Sequence, residues 1–107
     1  MVNRLVFGGS VTVDGGPGSG PQHTAAVAAT NKAARASREA KLASAAAHNK
    51  AGHINAAKMH GAASAAHNLA AIKHQAVGNT AQARFHDKKD ANHMERSKFH
   101  EMTARMM

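Results

Sequence analysis

With 107 residues, no Trp, no Tyr and three Phe, the chain allows one small domain and supplies too few large apolar side chains for a deep core. Fourteen Lys and Arg against six Asp and Glu give a formal charge of +8 with His neutral, a balance that favours polyanions such as nucleic acid or an acidic protein face. The absence of cysteine removes disulfides and thiolate metal sites, which excludes a disulfide-stapled secreted scaffold and is compatible with a reducing compartment or a virion.

Residues 1–13 read as β-rich. Leu5, Val6 and Phe7 precede Gly8-Gly9, and Ser10, Val11, Thr12 and Val13 follow, a pattern that predicts a small hairpin about the Gly-Gly pair. A lone two-stranded hairpin is marginal in water. The expectation is therefore an arm that pairs with a partner through Leu5, Val6, Phe7, Val11 and Val13. The apolar run of MVNRLVFGGS is too short for a signal-peptide core, and charges punctuate the longer Ala-rich stretches, so neither a leader nor a membrane span is expected.

Residues 14–23 form the expected linker. Its DGGPGSGP run, Asp14 to Pro21, holds four of the nine glycines and both prolines and shows neither helical nor strand periodicity. Fully extended, this run spans about 25 Å.

From Thr24, expected to cap the first helix, the pattern is helical to the C-terminus. Ala26, Ala29, Ala33, Ala36, Ala40, Ala43 and Ala47 recur at three- and four-residue steps, the seam of a close helix contact that contributes little area per residue. Gly52 reads as the left-handed residue after the first helix, and Val77-Gly78 repeats that punctuation before Asn79 and Thr80. Three helices are predicted at about 24–51, 54–77 and 80–105. The fold class is mainly α, an antiparallel helical hairpin or three-helix up-down arrangement, preceded by the β-hairpin and the Gly/Pro linker.

Two runs of histidines organise the helical part. His53, His60, His67 and His74 fall seven residues apart, and the same step resumes at His86, His93 and His100. Sliding the chain by 26 residues superposes His48 on His74, Gly52 on Gly78, His60 on His86, His67 on His93 and His74 on His100, so the second and third helices read as copies of one helix-plus-turn unit. Leu69, Ile72 and the alanines around them centre about 220° from the histidine line. The imidazoles are thus expected to flank the buried face or point to solvent. Phe85, Phe99, Met102 and Met106, at steps near multiples of 3.5, are expected in a core or an interface.

Chemistry is sparsely signalled. Metal ligation within one helix needs imidazoles three or four residues apart, and the seven-residue step places neighbours about 10.5 Å apart along the axis. An intrahelical zinc site is excluded by that spacing, while one shared between helices stays open. No GxSxG elbow, HExxH, P-loop or Rossmann fingerprint occurs, so no catalytic residues, no metal and no cofactor are assigned. Lys32, Arg35, Arg38 and Lys41 on the first helix, with Arg84, Lys88, Lys89, Arg96, Lys98 and Arg105 on the last, are the candidate polyanion contacts; they could neutralise phosphates without reading bases. Asp87, Asp90, Glu95 and Glu101 interrupt the second set.

The Gly15–Pro21 motif followed by Ala-rich helices with regularly placed His resembles segments of tailed-bacteriophage structural and capsid-assembly proteins. The resemblance implies a non-enzymatic virion or assembly component, located in the virion or the host cytoplasm. Its partners would be other virion proteins or further copies of itself, with DNA as a non-specific contact. The alternative is a basic helical protein that binds nucleic acid non-specifically on its own.

Overall fold

The computed structural model describes residues 20–107; the β-hairpin expected at 1–13 and most of the expected linker lie outside the described residues. Three helices follow in order, α1 (Pro21–Ala45), α2 (Lys50–Ala76) and α3 (Thr80–Arg105). They form an elongated body of 53 × 18 × 17 Å. The mainly-α, three-helix expectation holds for these residues, and no strand occurs among them.

The helix ends differ from expectation where alanine hid them. α1 starts three residues before Thr24, with Gly20 at the N-cap position and Pro21 at the first helical one, where its missing N–H costs nothing. Thr24 instead donates its hydroxyl proton to the Gly20 carbonyl at 3.1 Å. α1 also stops at Ala45, six residues before the expected end. The stop follows from what starts α2: the Asn49 side chain accepts from the Gly52 N–H at 2.8 Å, a local bond that competes with continued helix. Gly52 therefore lies inside the first turn of α2 and is not the left-handed terminator that its position after Ala51 suggests. Its missing Cβ matters for another reason, since a Cβ there would come within 3.1 Å of the Ala47 Cα.

Gly78 does terminate α2 as expected. Its φ is +77°, the Asn79 N–H reaches back to the His74 carbonyl at 2.9 Å, and the Gly78 N–H reaches the Gln75 carbonyl at 3.0 Å. These two bonds make a Schellman motif.

α2 is the central helix, with α1 and α3 each packed along it. Contacts that bring Thr30 to His74, Ser37 to His67 and Ser44 to His60 make α1 and α2 antiparallel, and those joining His53 to His100 and His67 to His86 do the same for α2 and α3. The result is an up-down-up bundle. Its apolar core consists of alanines, among them Ala26, Ala29, Ala33 and Ala40 of the predicted α1 seam and Ala56, Ala63 and Ala70 of α2.

Large side chains take the opposite course. Phe85, Phe99, Met102 and Met106 are exposed, as are Leu69 and Ile72, while His60, His67, His74, His86, His93 and His100 are buried. This reverses the expectation drawn from hydrophobicity. Methyl-sized seams let the helix axes approach closely, and the narrow space left between them is filled by flat imidazoles that hydrogen-bond at both edges.

Candidate functional site

The buried histidines meet a third series on α1 that shares their period. Thr30, Ser37 and Ser44 are seven residues apart, and each hydroxyl sits between one imidazole of α2 and one of α3. Thr30 Oγ1 lies 2.6 Å from His74 Nε2 and 3.1 Å from His86 Nε2. Ser37 Oγ lies 2.7 Å from His67 Nε2 and 2.8 Å from His93 Nε2. Ser44 Oγ lies 2.7 Å from His60 Nε2 and 2.8 Å from His100 Nε2.

The other ring nitrogens pair across the α2–α3 contact. His53 meets His100, His60 meets His93 and His67 meets His86, each Nδ1 to Nδ1 at 2.8–2.9 Å. At the far end the Asn79 side chain reaches His74 Nδ1 at 3.3 Å. Rings that share a hydroxyl also stack, with His74 on His86, His67 on His93 and His60 on His100 at centroid distances of 5.4–5.7 Å. Ten hydrogen bonds thus join Asn79 to His53 in one unbranched ladder. All six buried imidazoles have a partner at both nitrogens, which is the condition for burying them cheaply.

Neutral rings impose an order on this ladder. A neutral imidazole donates at one nitrogen and accepts at the other, and a hydroxyl has one proton to give. If the Asn79 amide donates to His74 Nδ1, then His74 donates at Nε2 to Thr30, Thr30 to His86, His86 at Nδ1 to His67, and so on to His53. Every donor along the way meets an acceptor. The Asn79 amide nitrogen can only donate, so it selects this order over the reverse, and the tautomers of all seven rings are set together.

The electrostatics favour that neutral state. Burial holds the pKa of His60, His67 and His86 at about 4, with neighbouring imidazoles adding to the depression. Burial also lowers His74, His93 and His100, and Lys89 and Arg96 reinforce the effect at His93. Asp90 acts in the other direction at His67 and His93. Its carboxylate accepts from the Ser64 hydroxyl, a further tie between α2 and α3, and two turns along the same contact Ser97 donates to the Ala57 carbonyl at 2.9 Å.

Among the described residues no group of three or more His, Cys, Asp or Glu side chains is placed to hold a metal ion. The Nδ1–Nδ1 contacts are hydrogen-bond distances, too short for an ion lying about 2.1 Å from each nitrogen on a line between them. No helix among these residues is long and apolar enough to cross a membrane.

The ten candidate cations are all exposed, but the fold sorts them. α1 and α3 run parallel and are tied to one another by the shared hydroxyls, which leaves a groove of about 750 Å³ between them. Arg38 and Lys41 line it from α1 and Lys89 and Arg96 from α3, whereas Lys32, Arg35, Arg84, Lys88, Lys98 and Arg105 do not. The floor is the ladder itself, at Ser37, Ser44, His60 and His93. Candidate arm residues Leu5, Val6, Phe7, Val11 and Val13 lie outside the described residues.

Comparison with protein-family models, curated proteins and solved structures finds no match to this chain.

Thr30, Ser37 and Ser44 are the residues that reading the sequence for motifs passes over. Their signal is present, a hydroxyl every seventh residue in an alanine-rich helix, in phase with the histidine step. It acquires meaning only when three helices are laid side by side.

Proposed function

We propose that this chain is a non-enzymatic structural subunit of a tailed-bacteriophage particle or of its assembly apparatus, with a helical part that packs against partner subunits. The observation that carries this reading is the inverted distribution of side chains. Ile72 is 56% exposed, Phe99 59% and Met106 80%, whereas His86 is 1% exposed. Large apolar groups presented to water in rows are the usual mark of a contact surface.

The large apolar residues recur at helical spacing along α2 and α3. Ile54 and Ile72 of α2 are 18 residues apart, five full turns, with Leu69 one turn from Ile72. On α3, Phe85, Phe99 and Met106 recur at multiples of seven, with Met102 between the last two. The ladder serves this role by fixing helix register without bulky core residues, which frees those residues for the outside. The arm at residues 1–13 is the second attachment point in this reading, and the Gly15–Pro21 linker supplies reach.

Mass spectrometry of purified particles from a phage that encodes this chain tests the proposal. The chain is expected in the particle or in assembly intermediates. A triple variant, Ile72→Ser, Phe99→Ser and Met102→Ser, should retain its helical circular dichroism yet be lost from those particles. Absence of the natural chain from both fractions overturns the reading.

A further inference from the structure

The geometry points to the α1–α3 groove as a binding site for a single-stranded phosphodiester chain, held by Arg38 and Lys41 on one bank and Lys89 and Arg96 on the other. This goes beyond subunit packing, which uses the outward apolar rows of α2 and α3. It also narrows the ten exposed cations to four that face one another.

Three observations carry the inference. First, the charges converge: four cations and one carboxylate, Glu95, line the same cleft. Arg and Lys supply complementary modes, a planar fork for two phosphate oxygens and a mobile point charge. Second, Ala45 is the only apolar residue among those lining the groove. The lining residues are otherwise charged or polar, which suits a repeated anionic backbone read without regard to sequence.

Third, the dimensions fit a strand. Lys89 and Arg96 are seven residues apart, about 10.5 Å along α3, far enough for each to meet a different phosphate of one strand. Both banks reach the same floor, since Ser37 of α1 and His93 of α3 lie 2.8 Å apart. The whole body measures only 18 × 17 Å across its short axes, so a cleft between two of its three helices has room for one strand and not for a duplex. The same two cations, exposed as they are, act electrostatically on His93 at the floor of the groove.

Fluorescence anisotropy with a labelled oligothymidylate and the full chain tests the site. Binding should weaken with salt along a log–log slope of about −3, from four cations at about 0.7 each for single strands. Lys89→Gln with Arg96→Gln should lower affinity at least tenfold and reduce the slope by about 1.4, and Arg38→Gln with Lys41→Gln should do the same from the other bank. Lys32→Gln with Lys98→Gln removes equal charge outside the groove and should change affinity less than threefold. All these side chains are exposed, and circular dichroism confirms that each variant keeps its helices.

Two competitors define the ligand. Inorganic polyphosphate should displace the oligonucleotide, and the imidazole resonances of His60 and His93 should shift on binding. Equal losses in the groove and control variants would reduce the effect to overall charge and overturn the site. Displacement by polyglutamate as effective as that by polyphosphate, or a duplex bound as tightly as the single strand, would overturn the assignment of a single phosphodiester strand. No binding of the oligonucleotide at low salt would overturn both.

Discussion

His60 and His93 meet nitrogen to nitrogen, with 2.8 Å between their Nδ1 atoms. One proton lies between them, so one ring donates and the other accepts. An imidazolium has no acceptor, so a proton added to either ring sets a donor against a donor in this pair or leaves the shared hydroxyl without an acceptor for its own proton.

Acid should therefore dismantle the bundle. The unfolded chain titrates near 6.5, while His60, His67 and His86 are held at about 4 in the fold. Between these values the unfolded state binds more protons, so the stability that neutral burial provides is fully present above pH 6.5 and is lost as pH falls towards 4. Each such histidine adds to the loss within that window. Thermal melts followed by circular dichroism from pH 7.5 to 4.5 should show a steep fall in Tm below 6.5. A flat profile contradicts a neutral ladder.

Ser37 is the middle rung, and its hydroxyl serves two rings. Ser37→Ala leaves His67 Nε2 and His93 Nε2 without their partner, at about 1–3 kcal/mol for each buried group left unsatisfied. Ser37→Thr keeps the hydroxyl and copies the rung at Thr30, so it should retain most of the stability. Urea titration of the two variants separates loss of the hydrogen bond from general sensitivity of the site.

Two glycines should respond to alanine in opposite directions. Gly78 has φ +77°, where a Cβ costs about 1 kcal/mol or more whatever the space around it. Gly61 lies within α2 in helical conformation, and an added Cβ would meet only the Ser97 Oγ at 3.9 Å. Gly61→Ala should stabilise by about 0.5–1 kcal/mol and Gly78→Ala should destabilise. Matched denaturation curves decide both signs.

The large apolar residues should be nearly silent in the isolated chain. Leu69→Ser and Phe99→Ser alter exposed positions and are expected to shift stability by no more than about 0.5 kcal/mol. A loss of several kcal/mol at either site would mean that it belongs to a folding core.

Much of this architecture is legible in the residues. Gly78 marks the α2–α3 turn because glycine adopts its positive φ without strain, and the alanine seam of α1 follows the helical period. Three features are harder to read, each for a physical reason. Alanine favours helix so strongly that the 45–49 turn is visible only through Asn49, whose side chain starts α2. Leu69 and Ile72 point outward because the interhelical space is too thin for them, whereas hydrophobicity alone places them inside. The α1 hydroxyls carry little signal singly, since the value of Ser44 depends on His60 and His100 arriving from two other helices. The groove has the same origin: Arg38 and Arg96 are 58 positions apart in the chain and become neighbours only because α1 and α3 lie side by side.

A bundle whose interior is methyl groups and imidazoles withdraws less hydrocarbon from water than one lined with leucine. Heat-capacity change on unfolding tracks that hydrocarbon, offset by the polar area exposed with it. Calorimetry should accordingly return a value per residue below the usual ~12–15 cal/mol/K, and a stability curve that is broad and shallow. Such a protein changes little in stability between cold and warm surroundings, and acidity, far more than temperature, governs whether it stays folded.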